Sequence, residues 1–164
     1  MMEFVAQSHG FDVGNLPEKV IEQLGKQIAS GAMDQSPIYS RAPRFLRETL
    51  LFPYFAGLQF VYALKREGGW KRVDEAFKSA PESTEQVLHP EKFLERERPV
   101  AVSAAPVPSL SPRSELRRDI LGELELRVLF YTQMADADAE AAAAGWGGDR
   151  LVAYSAPGEA LPAV

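Results

Sequence analysis

The sequence predicts a mainly α-helical fold with minor β (α+β): a helical domain with a long kinked central helix and a short C-terminal strand. Three observations carry that expectation. Apolar residues recur every three or four positions through most of the chain, the period of a helix that buries one side. One run, residues 43–67, is apolar almost all round, which marks a helix touching neighbours on several sides. Strand-like pattern is confined to Val100-Ala101-Val102 and to residues 151–154.

Residues 1–8 have helical composition but start with no N-cap, so this helix reads as cut into rather than designed to begin there. His9-Gly10 stops it, and His9 is expected to be a helix-end residue. Asn15 caps the next helix, with Pro17 in the first turn and Glu18 three residues after the cap. Val20, Ile21, Leu24 and Ile28 form its apolar side, and it ends near Gly31. Asp34, Ser36 and Pro37 mark residues 33–40 as a loop.

The central helix, residues 43–67, carries Phe45, Leu46, Leu50, Leu51, Phe52, Tyr54, Phe55, Leu58, Phe60, Val61, Tyr62 and Leu64. Pro53 lacks a backbone donor and should kink it, and Gly57 would admit a close neighbour. Gly68-Gly69 closes this helix, and Trp70 opens a shorter one through residue 79 with Trp70, Val73, Ala76 and Phe77 as its buried stripe. Ser83 or Thr84 then caps a helix of one or two turns, Gln86 completing a capping box with Ser83. Pro90 ends it, and a second short turn covers residues 91–94.

Residues 99–112, rich in Ala, Val, Pro and Ser, read as an extended connector within a single domain of residues 1–164. Ser114 is expected to cap a helix that Ile120, Leu121, Leu124, Leu126, Val128, Leu129 and Tyr131 carry to about Met134. Residues 135–144 form an alanine-rich helix that a neighbour can approach closely. Gly145-Trp146-Gly147-Gly148-Asp149-Arg150 is a tight turn before the strand at 151–154. A lone strand leaves its backbone groups unsatisfied, so this one wants a partner that the chain barely supplies.

With 164 residues the chain suits one domain with a real core. Its formal charge of −5 argues against nucleic acid, which wants a basic face. The absence of cysteine excludes disulfides, thiolate zinc sites and cysteine nucleophiles. Met1-Met2-Glu3-Phe4-Val5-Ala6 lacks the basic and apolar regions of a signal peptide, and no run approaches a membrane span. Localisation is left open, cytoplasmic by default.

The densest chemistry lies in residues 81–93, Pro-Glu-Ser-Thr-Glu-Gln-Val-Leu-His-Pro-Glu-Lys-Phe, with one of two histidines in the chain. His89 stands at a helix end fixed by Pro90; its bland reading is a structural histidine bonded to a carbonyl. Glu85, one turn earlier, would orient that ring or sit on the solvated side. Tyr54 would present its hydroxyl at the Pro53 kink or simply pack in the core. Arg150, after Asp149, would bind a substrate terminus or form a local ion pair that fixes the turn. Trp70 and Trp146 read as core anchors.

Three blocks resemble a known family. The first is Ala42-Pro43-Arg44-Phe45-Leu46 with Leu51-Phe52-Pro53-Tyr54-Phe55-Ala56-Gly57, Phe60-Val61 and Gly68-Gly69-Trp70. The second is Ser83-Thr84-Glu85-Gln86-Val87-Leu88-His89-Pro90-Glu91-Lys92. The third is Leu121-Gly122-Glu123 with Ala142-Ala143-Ala144-Gly145-Trp146-Gly147-Gly148-Asp149-Arg150. In order and spacing they resemble the C-terminal half of an uncharacterised group of bacterial zincin-like metallopeptidases, over nearly the whole chain.

The resemblance implies a zinc site upstream of these blocks, with a His-Glu-x-x-His helix and a third, glutamate ligand. This chain has no His-Glu-x-x-His, and Glu3 falls past the position of the third ligand. The expectation is therefore a truncated metallopeptidase-like fragment without its zinc-binding motif, with no metal ligands of its own and no activity alone. Within such a site, His89 would donate to the oxyanion, with Glu85 and Tyr54 in supporting roles. The alternative is a non-catalytic helical interaction or oligomerisation module. It would bind a protein partner, the missing N-terminal segment or a second copy through exposed apolar helix and strand edges. A non-peptidase enzyme using Glu85 and His89 as an acid–base pair is a third class.

Overall fold

The computed structural model describes residues 37–105, 107–110 and 113–155, together with Lys19, Val20 and Gln23. The fold is mainly helical with a small two-stranded antiparallel sheet, as the sequence predicts. Two compact units divide the chain, one drawn from Met1–Pro81 and Gln86–Arg96, the other from Glu82–Glu85 and Glu97–Val164. Lys19, Val20 and Gln23 are helical, within the helix expected from Asn15. The rest of that helix, the one over residues 1–8, and His9 lie outside the described residues.

In the first unit, α1 (Pro37–Arg41) replaces the last part of the expected loop. Pro37 sits at the first helical position, where its missing N–H costs nothing. The long α2 (Arg44–Lys78) follows, and its helical dihedrals run through Pro53. The break comes instead at Gly68 (φ −155°, ψ 25°) and Gly69 (φ 65°, ψ −163°), a backbone conformation that only glycine adopts without strain. Pro53 thus does not divide the helix; the division falls at the Gly-Gly pair, where the sequence also ends its first helix.

Two short helices complete this unit, α3 (Thr84–Leu88), which starts in the other unit, and α4 (Pro90–Glu95). Pro90 separates them at N1 of α4, and Arg96 closes α4 in the left-handed conformation. Phe60 and Leu64 before the break meet Val73 after it, and Val61, Ala76, Val87, Phe93 and Leu94 pack around them. The Phe60 and Phe93 rings meet edge to face at 5.1 Å.

Burial on α2 is more selective than the all-round apolar pattern suggested. Ala56, Phe60 and Leu64, spaced by four, are buried, whereas Phe45, Leu46, Leu50 and Tyr54 are exposed. Likewise Trp70 and Phe77 are exposed and only Val73 of the expected stripe is buried. Among the described residues the core built on Phe60 and Leu64 takes in Val73 and Ala76 of this segment. Trp70 instead lies under Lys65, whose ammonium is 4.8 Å from the ring centre.

The second unit corrects the sequence reading most. Ser114 does not cap a helix; it begins strand β1 (Ser114–Asp119), which pairs antiparallel with β2 (Leu151–Ser155). The expected lone strand therefore has its partner. Ser-Glu-Leu-Arg-Arg-Asp is not a strand by propensity, but pairing with β2 satisfies the backbone of both segments and overrides that local preference. The helix that follows shrinks to α5 (Gly122–Phe130), and α6 (Asp136–Ala143) packs against it through the fully buried Ala139 and Ala143. Among its described residues the connector is irregular apart from a 3-10 turn at Pro108–Leu110.

Candidate functional site

The start of α5 gathers the residues that the sequence singled out in this unit. Leu121 and Gly122 open the helix without a local side-chain cap. The first N–H groups of any helix need acceptors from elsewhere. Asp149 Oδ2 accepts the Leu121 N–H at 2.9 Å, and Oδ1 accepts the Gly122 N–H at 3.1 Å. The same Oδ1 accepts the indole N–H of buried Trp146 at 2.9 Å. Thr84 Oγ1 accepts the Leu124 N–H at 3.2 Å. A carboxylate here also faces the positive end of the helix dipole.

Two glycines allow this convergence. Gly122 has φ +75°, and a Cβ there would stand 2.7 Å from Thr84 Oγ1. A Cβ on Gly148 would collide with the Val100 carbonyl. Val100 donates its N–H to the Gly147 carbonyl at 2.7 Å, and Arg150 Nε donates to the Val102 carbonyl at 3.2 Å. The connector is thus tied along the Gly147-Gly148 turn, although its Val100-Ala101-Val102 piece is no strand.

Charge is arranged around the same helix. Glu123 is fully buried, with Arg127 Nη2 on its Oε1 at 2.8 Å one turn later. Removing one partner of such a pair would leave a buried charge uncompensated. Burial, then the Asp119 charge, pushes the Glu125 carboxyl above the usual range. Asp119 itself is held low by the Ile120 N–H and by Arg117.

The four sequence candidates divide between the units. Tyr54 is exposed on α2, and His89 precedes α4 with its Nδ1 3.6 Å from Glu91 Oε1, both in the first unit. Glu85, buried, and Arg150 belong to the second. Among the described residues no group of three or more His, Asp or Glu side chains is placed to hold a metal ion. No described helix is long and apolar enough to cross a membrane.

What the sequence reading missed is the work of Thr84, Asp149, Glu123 and Arg127. The signal is legible only once the helix is known to open at Leu121-Gly122, since a cap position without Ser, Thr, Asp or Asn must borrow its acceptors from a distant residue. Both Asp149 oxygens are occupied, so the residue acts as an acceptor that fastens the fold.

Residues 110–163 match the family model described as Domain of unknown function (DUF8575). The match spans β1, α5, α6 and β2, and with them Gly122 and Asp149; Thr84 and Val100 lie outside it. No curated protein matches the chain, and no solved structure does.

Replacing Asp149 by Ala removes the acceptor for two amides and the buried indole. We expect a loss of about 2–4 kcal/mol in the second unit, read from urea unfolding by Trp146 fluorescence in a Trp70→Phe background. A loss below about 0.5 kcal/mol would contradict the arrangement. For Glu125, the raised folded-state value means that ionisation opposes folding, so stability is lost as pH rises from 4.5 through the folded value. Glu125→Gln should therefore raise the melting temperature at neutral pH, and the gain should vanish at about pH 3.5.

Proposed function

We propose that this chain works as a non-catalytic helical interaction module in which α2 docks an apolar helix of a protein partner. One observation carries the reading. Leu46, Leu50 and Tyr54 stand one turn apart on α2 and remain 54%, 55% and 68% exposed. Apolar side chains aligned on a helix at this spacing are how one helix presents a line of anchors to another. A Cβ added at Gly57, one turn further, would meet nothing within 4 Å, which leaves room for a close backbone approach.

Replacing Leu50 and Tyr54 together by Glu should roughly halve the binding of an apolar-surface dye at unchanged helix content. Unchanged dye binding would overturn the docking face. A wild type that binds no dye and runs as a monomer would do the same.

A second reading, a metallopeptidase-like fragment silent without zinc ligands from elsewhere, is favoured by a separate observation. Thr84 in the second block of resemblance accepts the Leu124 N–H beside the third, within which Asp149 accepts the Gly122 N–H, as parts of one inherited scaffold should. It predicts no stoichiometric zinc by elemental analysis of the purified chain and no peptidase turnover. Tight zinc binding by this chain alone would sink it.

A further inference from the structure

We propose that β1 pairs with β1 of a second copy of this chain, antiparallel about a two-fold axis, extending the two-stranded sheet to four strands in the order β2-β1-β1-β2. β1 has β2 on one edge and, among the described residues, no strand on the other. Ser114, Glu115, Leu116, Arg117 and Arg118 are all exposed. Two strands alone are marginal in water, and an open edge offers its N–H and C=O groups to any strand that fits.

The charge pattern says which strand fits. In the pairing with β2, Glu115 faces Tyr154 and Arg117 faces Ala153, so Leu116 is an extra residue in a bulge. The bulge puts Glu115 and Arg118 on one face, where the Arg118 guanidinium bonds both Glu115 oxygens at 3.1 and 2.7 Å. Ser114, Arg117 and Asp119 take the other face.

Two copies of Ser-Glu-Leu-Arg-Arg-Asp, set antiparallel about the bond between Leu116 and Arg117, place Glu115 opposite Arg118 twice and Ser114 opposite Asp119 twice. In each of these pairs both residues share a face. Sliding one residue one way sets Glu115 against Asp119 and Arg117 against its own copy, both like-charge pairs. Sliding the other way sets Glu115 against Arg117, residues of opposite faces. One register alone satisfies charge and face together. The strand reads as its own complement. The pairing uses no residue of α2, so it stands whether or not α2 docks a partner.

Solution mass with a charge swap tests it, because Glu115 and Arg118 also pair within one strand and only a mixture reports pairing between copies. In low salt the wild type should be a dimer that weakens as salt is added. Glu115→Arg alone and Arg118→Glu alone should each be monomeric. An equal mixture of the two variants should recover the dimer, since each charge then meets its opposite across the interface. Ser114→Lys places a lysine opposite Asp119 and should tighten the dimer by roughly three- to tenfold. That variant keeps the proposal testable if either reversal unfolds the sheet. A monomeric wild type, single variants that dimerise like the wild type, a mixture that stays monomeric, or a Ser114→Lys protein no tighter than wild type would each overturn the pairing.

Discussion

The second unit depends on one carboxylate. Asp149 takes the N–H groups of Leu121, Gly122 and Trp146, and in doing so it joins the start of α5 to the turn that leads into β2. Once that turn is fixed, β2 lies where β1 can pair with it, and the connector can lie against Gly147 and Gly148. Thr84 adds a fourth donor–acceptor pair from a segment forty residues from its partner Leu124. The Trp146 bond is local to the turn, but those of Leu121, Gly122 and Leu124 join residues 27 to 40 positions apart. Their worth lies in closing long loops, which local helix propensity cannot do.

The same arrangement changes the meaning of the distinctive sequence blocks. Read along the chain, Gly147-Gly148-Asp149-Arg150 is a tight turn whose Arg150 would bind a substrate terminus or pair locally, and Ser83-Thr84 is the cap of a short helix. In space, Gly148 makes room for the Val100 backbone, Asp149 and Thr84 accept N–H groups, and Arg150 holds the Val102 carbonyl. Unusual residues at fixed spacing report a geometric requirement, and a folding requirement meets that description as well as an active site does. The proposed interaction surfaces, the apolar line on α2 and the β1 edge that no described strand covers, lie outside these blocks' bonds.

How far the sequence was legible follows from the range of each interaction. The helices α2 and α6 were readable, because helical periodicity and alanine content are local signals. The Gly68-Gly69 break was readable too, since a conformation like that of Gly69 belongs to glycine. Strand β1 was not: Ser-Glu-Leu-Arg-Arg-Asp is rich in helix formers, and its reason for extending, β2, lies more than thirty residues later. The cap of α5 escaped for the same reason, as Asp149 is 27 residues from Gly122. Periodicity also identified the apolar residues of α2 without saying which would be covered. Phe60 and Leu64 are buried and Leu50 is not, because burial depends on where Val73, Val87 and Phe93 return to the helix.

Hydrogen exchange tests the Asp149 fastening most directly. If that carboxylate holds the unit together, the amide protons of Leu121 and Gly122 and the Trp146 indole proton should exchange only with opening of the whole unit. They would then be as slow as the amides in the middle of α5. Exchange of those three protons at the rate of exposed groups, with the amide of Val128 still protected, would contradict it.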